Sequence, residues 1–223
     1  MKNNKFVKCV ASSLVALGIS TIAYSNSWAE NLKIGVAGPH TGEMSNYGIS
    51  AKNGVTLAIK HINATGGALG TDLEAVSQDD ACDSVKAARV AENMIAENVI
   101  AVIGHICNNS TEAALPSYAS ANIPVISAAS TNPNLTNEGK YPNFFRTISH
   151  DASQAQLQVE FAVKALGIKK AAVIFDQGNY GKEMAGLVGD GLEQNGFKVL
   201  VFEPIESGAE SYSELIGNSE KQK

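Results

Sequence analysis

The chain has 223 residues, enough for one large domain or two small ones, and its 44% apolar and 17% charged content excludes a disordered polyelectrolyte and a coiled coil. A net charge of -5 leaves no basic surplus to neutralise phosphates, which excludes a nucleic-acid binder. Three cysteines and four histidines are too few for a Cys/His zinc module.

Residues 1–29 read as a secretory signal. Lys2, Lys5 and Lys8 form its positive start, Val10 to Tyr24 its apolar centre, and Ser27-Trp28-Ala29 a small-x-small cleavage site. The alternative is an uncleaved anchor, but the apolar centre is short for a span. Cys9 precedes the apolar centre, whereas a lipid-attachment cysteine would follow it. Cleavage leaves Cys82 and Cys107. Two cysteines in an exported chain suggest one disulfide, and two buried free thiols are the alternative.

Beyond the signal, β-rich and helical segments alternate. Leu32 to Ala37 is a strand closed by Gly38-Pro39. Tyr47 to Asn63 carries Val55, Ala58, Ile59 and Ile62 at helical spacing and stops at Gly66-Gly67. Leu73 to Gln78 is a second strand. Asp83 can cap a helix whose inner face is Ala87, Val90, Ala91, Met94 and Ile95. Val99 to Gly104 is nearly all apolar, as in a strand buried on both faces of a parallel sheet. Ser110-Thr111-Glu112 opens a third helix, which Pro116 should kink or delay. Pro124 to Ala128 and Phe144 to Thr147 are the next strands. Asp151 to Gln154 reads as a capping box with Asp151 as cap, before a helix with Leu157, Phe161 and Leu166 inward. Ala171 to Phe175, Gly181 to Asn195 and Val199 to Phe202 give a last strand, helix and strand. Tyr212, Leu215 and Ile216 begin an apolar helical face that ends abruptly at Gly217. The second half therefore offers two strands and no third. Either the chain is cut short or its last segment is a surface appendage.

This succession predicts an α/β fold, a parallel sheet with helices on both faces. Ligands bind such sheets beyond the carboxyl ends of the strands. The loops there begin at Gly38, Asp79, Gly104, Ala128 and Asp176. The nucleophile elbow, the Walker loop, G-x-G-x-x-G, S-x-x-K and H-E-x-x-H are all absent. His105 could act as a general base and Asp79-Asp80 in metal or acid–base work, but loop capping and hydrogen bonding are the favoured roles. The strand ends instead offer neutral polar groups. Residues 104–111 enter a helix N-terminus that favours an anionic group. Residues 128–133 supply a carbonyl and a hydroxyl suited to an ammonium and one carboxylate oxygen. Tyr47 and Tyr180 could wall the pocket. Such a set binds a small ligand and releases it unchanged, so no enzyme activity and no cofactor are expected.

Several segments together resemble one family. They are Lys33-Ile34-Gly35-Val36 with the loop 42–48, Ile62-Asn63-Ala64-Thr65-Gly66-Gly67, Asp79-Asp80-Ala81-Cys82-Asp83, Val102 to Cys107, Ser130-Thr131-Asn132-Pro133, and Asp176 to Gly181. The chain resembles the periplasmic branched-chain amino-acid-binding proteins, the leucine/isoleucine/valine type that feeds an ABC importer. The paired D-D-A-C-D and G-H-x-C motifs are the specific part, and the likeness runs from Glu30 to about Ile216. It implies a type I periplasmic-binding-protein fold, with an N-terminal lobe over residues 30–149 and a partial second lobe over 150–223. It implies a Cys82–Cys107 disulfide. Ligand would meet Tyr47, Asn108, Ala129, Thr131 and Tyr180: Ala129 through its carbonyl to the ammonium, and Thr131 through N–H and hydroxyl. Asn108 stands where the family usually offers a serine, keeping the N–H and replacing the hydroxyl by an amide. The family's acidic partner for the ammonium would lie beyond Lys223, as though a premature stop or frame change cut the second lobe.

The expected function is an extracytoplasmic solute-binding protein, monomeric and periplasmic. It would take leucine, isoleucine or valine to an ABC importer permease. The alternatives are a non-binding remnant of such a protein, a ligand-sensing domain of the same fold, and a secreted hydrolase built on His105.

Overall fold

The computed structural model describes residues 30–167, 169–206, 208, 209, 211–213 and 217, so the signal segment and the tail face at Leu215 and Ile216 lie outside the described residues. The first half contains β1 (Leu32–Gly38), α1 (Ser45–Ala64), β2 (Leu73–Asp79), α2 (Ser84–Ala96), β3 (Ala101–Ile103), α3 (Asn108–Ser120), β4 (Val125–Ser127) and β5 (Phe144–Arg146). After it come α4 (Asp151–Phe161), β6 (Lys170–Asp176), α5 (Asn179–Gln194) and β7 (Lys198–Ile205). Strands β1 to β5 form one parallel sheet in the order β2-β1-β3-β4-β5, and β6 and β7 pair in a separate parallel sheet. The strand order reverses between β1 and β3, the place where α/β sheets open a crevice at their carboxyl ends.

The apolar rows chosen by helical spacing explain the first core. Ala87, Val90, Ala91 and Met94 of α2 pack with Ala114, Leu115 and Tyr118 of α3 over Val102, Val125 and Phe144 of the sheet. Asp83 caps α2 as its position predicts, accepting from the Lys86 N–H at 2.8 Å. Gly48 lets α1 start tightly against the chain after β1, because any side chain there would collide with the Pro39 carbonyl.

Three expectations change. Pro116 neither kinks nor delays α3, which runs unbroken from Asn108. Its first turn forms two residues ahead of the expected start, because the Thr111 hydroxyl and N–H both bond the Cys107 carbonyl. The segment around β3 is not buried on both faces: Val102 is fully buried, but Ala101 and Ile103 are half-buried and Ile100 is 47% exposed. On that second face α1 packs against β1 and β2. In α4 the inner face is Asp151, Ala155 and Val159, whereas Leu157 and Phe161 are 69% and 61% exposed and Leu166 also faces outward. The cause is α5, where Gly191 leaves room for Val159 to pack directly against the helix backbone. Val159, Val173, Ala185, Leu192 and Phe197 make the second, smaller core.

Candidate functional site

The C-terminal ends of β3 and β4 bring two loops together around Ser127 and Ser130. The Ser127 hydroxyl donates to the His105 carbonyl at 2.5 Å and accepts from the Ser130 N–H at 2.9 Å. The Thr111 and Ser130 hydroxyls bond at 2.5 Å. These buried bonds fix residues 105–111 against residues 127–132.

Beneath them His105 is fully buried, with Nδ1 2.5 Å from Asp80 Oδ2 and Nε2 3.3 Å from the Tyr118 hydroxyl. Among the described residues it faces no nucleophile, and it ties the ends of β2 and β3 together. Burial, with the charge of Asp80, pushes the Tyr118 phenol above its ordinary value. Asp80 Oδ1 also accepts from the Cys82 N–H at 2.9 Å. Ala81 and Cys82 have φ of 49° and 56°, a left-handed pair held by this bond and by the Ala81 N–H on Asp79. The turn presents Cys82 to Cys107, and the two pair with Cα atoms 5.5 Å apart. Asp79 accepts from the N–H groups of His40 and Thr41 and from the Thr41 hydroxyl, joining the loops after β1 and β2. Burial opposes its charge, but those bonds outweigh it and hold the carboxyl down at about 2. The favoured structural role of Asp79, Asp80 and His105 is the one they fill.

Thr131, Ala129 and Asn108 meet at the rim above. Asn108 Oδ1 accepts from the N–H groups of Thr131 at 2.8 Å and Asn132 at 3.1 Å. Its Nδ2 donates to Glu183 Oε2, 3.3 Å away on α5. The Ala129 carbonyl takes no hydrogen bond among the described residues. Tyr180, on the first turn of α5 and 47% exposed, accepts from Gln154 Nε2 at 3.2 Å. Tyr47, on the first turn of α1, is 62% exposed and shares no hydrogen bond with the other four candidates.

Two residues at this rim escaped the sequence reading. Glu183 follows Tyr180 by three positions, so both project from one face of α5, a spacing that could have revealed it. Asp151 was expected to cap α4. The cap is His150 instead, whose Nδ1 accepts from the Ser153 N–H at 3.2 Å, because the Asp151 N–H is drawn to the Thr131 carbonyl at 2.9 Å and the helix starts there. The Asp151 side chain is fully buried, and neither carboxylate oxygen has a hydrogen-bond partner at bonding geometry. Burial pushes its carboxyl up, and the nearby Thr131 hydroxyl, Arg146 and His150 offset only part of that. Burial also pushes Glu183 up, against the pull of Asn132 and Asn108.

A family model for periplasmic binding proteins matches residues 31–222. The chain is 34% identical over 215 residues to the leucine-specific-binding protein of Salmonella typhimurium, covering 96% of this chain and 57% of that one. It is 35% identical over 206 residues to the leucine-, isoleucine-, valine-, threonine- and alanine-binding protein of Pseudomonas aeruginosa, covering 92% and 55%. A leucine binding protein from Thermotoga maritima shares 26% identity and superposes with a TM-score of 0.73, over 86% of this chain and 53% of that one. A branched-chain amino acid transporter substrate binding protein from Streptococcus pneumoniae, in complex with isoleucine, shares 26% and superposes at 0.72, over 84% and 53%. The chain thus spans a little over half the length of these relatives. With this strand order and these matches over nearly all its described length, it belongs to the periplasmic binding protein family and carries the type I fold.

Proposed function

We propose that this chain is an extracytoplasmic solute-binding protein for branched-chain or related amino acids that hands its ligand to the permease of an ABC importer. The observation that carries the reading is the rim itself. Asn108, Ala129 and Thr131 follow the carboxyl ends of β3 and β4, Glu183 reaches Asn108 from α5, and Tyr180 stands one turn before Glu183 on the same helix. These groups hold a ligand without a nucleophile or a free imidazole to alter it. The leucine-specific-binding protein of Salmonella and the leucine-, isoleucine-, valine-, threonine- and alanine-binding protein of Pseudomonas point the same way. The reading includes export by a signal cleaved after Ala29, a periplasmic monomer, an oxidised Cys82–Cys107 pair, and lobes over residues 30–149 and 150–223 that close on ligand as a hinge. Tyr47 and Tyr180 serve as walls, the Ala129 carbonyl receives the ammonium, and Asn108 and Thr131 define the opposite side.

Calorimetric titration of the chain with leucine, isoleucine and valine tests the reading. Saturable heat from at least one is expected, and glutamate is expected to give none. Heat from none of the three aliphatic ligands contradicts it.

A further inference from the structure

We infer that Glu183 is the carboxylate that receives the ammonium group of the amino-acid ligand. The inference rests on the solute-binding reading and names a contact residue within it.

Glu183 is a half-buried carboxylate with no cation of its own. Asn108 Oδ1 accepts from the N–H groups of Thr131 at 2.8 Å and Asn132 at 3.1 Å, so its Nδ2 faces away from that loop and toward α5. There it meets Glu183 Oε2 at 3.3 Å, and the Asn132 side chain is the other donor nearby. Both donors are neutral amides. The ion pairs among the described residues leave Glu183 out. Its charged neighbours are Asp151 and Glu112, both acidic. Burial first, and those two charges after it, push the Glu183 carboxyl up, and the amides offset only part of that. Arg146 does not answer the charge, because it donates to the Ser130 and Asn132 carbonyls and to the Thr136 hydroxyl. A cation entering beside Glu183 relieves this excess of negative charge.

The rim gives the two ends of a zwitterion different places. The N–H groups of Asn108, Asn109 and Ser110, in the first turn of α3, have no acceptor among the described residues. They suit the ligand's carboxylate. In an α-amino acid the ammonium stands on the carbon next to the carboxylate, so a ligand seated on α3 holds its cation within reach of the groups bonded to Asn108. Those groups are Thr131, Asn132 and Glu183, and Glu183 alone carries a charge. The Ala129 carbonyl, which takes no hydrogen bond, adds a neutral acceptor. The ring of Tyr180, one turn before Glu183 and 47% exposed, suits the face of a cation. The same Glu183 carboxylate repels a ligand that brings a carboxylate without an ammonium.

The test is calorimetric titration of the 223-residue chain with leucine, isoleucine and valine and with the carboxylates that lack only their amine, 4-methylpentanoate, 3-methylpentanoate and 3-methylbutanoate. An amino acid that binds is expected to do so at least about tenfold more tightly than its deaminated partner. Glu183→Gln keeps an oxygen for the Asn108 donor and removes the charge, so a purely structural tie would survive it. That variant, shown to be folded by circular dichroism, should weaken the amino acid about tenfold or more and leave the deaminated acid no weaker. Glu183→Asp, which keeps the charge, should lose less. Three results each overturn this inference and leave the solute-binding reading standing: an amino-acid affinity unchanged in Glu183→Gln, a deaminated acid weakened as much as the amino acid, or a parent chain that binds the two equally, a comparison that needs no variant. Silence of the parent chain toward all three amino acids overturns both.

Discussion

Asp79 shows how one carboxylate joins two loops at the sheet's carboxyl end. It receives the His40 N–H at 2.7 Å, the Ala81 N–H at 2.9 Å and the Thr41 hydroxyl at 2.5 Å. Its folded carboxyl lies near 2, below the unfolded value of 3.8. A depressed carboxyl stabilises the fold above its unfolded pKa, and that contribution is lost as pH falls through the folded one. Asp79→Asn should therefore melt below the parent chain at about pH 6, and the gap should close toward about pH 2. Thermal melts at the two pH values check this, and a gap independent of pH would contradict the assigned bonds. The Asp-Asp pair was conspicuous in the sequence, but the division of labour was not. Asp79 faces the two loops, while Asp80 turns inward to His105. Residue type alone does not say which of two adjacent carboxylates enters the core.

At the scale of elements, helical faces and caps were legible wherever one partner decided them. The α2 face and its Asp83 cap follow directly from spacing. The α4 face did not, because its orientation is set by Gly191 on α5, 32 residues beyond the Val159 it packs against, and by the Asp151 N–H bound to Thr131. Hydrophobic periodicity cannot report a contact that depends on the absence of a side chain in the neighbour. The same limit hid the burial of Asp151, which was legible only as a cap, since its place is fixed by Thr131, twenty residues earlier. The bond between Cys82 and Cys107 closes a loop with a sequence separation of 25. Such a loop contributes about 3 kcal/mol in the chain-entropy estimate. Reduction should lower the melting temperature by roughly 10 °C for a chain of this size. Differential scanning calorimetry with and without dithiothreitol measures it, and an unchanged melting temperature would show that the loop is held by Asp79 and Asp80 alone.

Across the whole molecule, stability is unevenly distributed. The first sheet has five strands and a core that includes Met94, Leu115, Tyr118 and Val125 at full burial. Among the described residues the second has two strands and a core of five buried residues. Open edges and a small apolar core favour local opening. Native-state hydrogen exchange should therefore show β6, β7 and α5 exchanging before β1, β3 and β4, and equal protection in the two sheets would refute that order. The parallel sheet was legible in the alternation of strands and helices, but the strand order β2-β1-β3-β4-β5 was not, because spacing does not report which strands are neighbours. That β6 and β7 pair apart from the first sheet lies beyond what periodicity can give.

The amide of Asp151 rests on the carbonyl of Thr131, so the segment that leaves the larger sheet for α4 is pinned to the loop it has just passed. A swing of α4 and α5 of the kind proposed would pull on that peptide. In the proposed hinge closure the pivot and the rim would thus be one mechanical part, and a ligand settling on Thr131 would alter the leverage with which the halves turn.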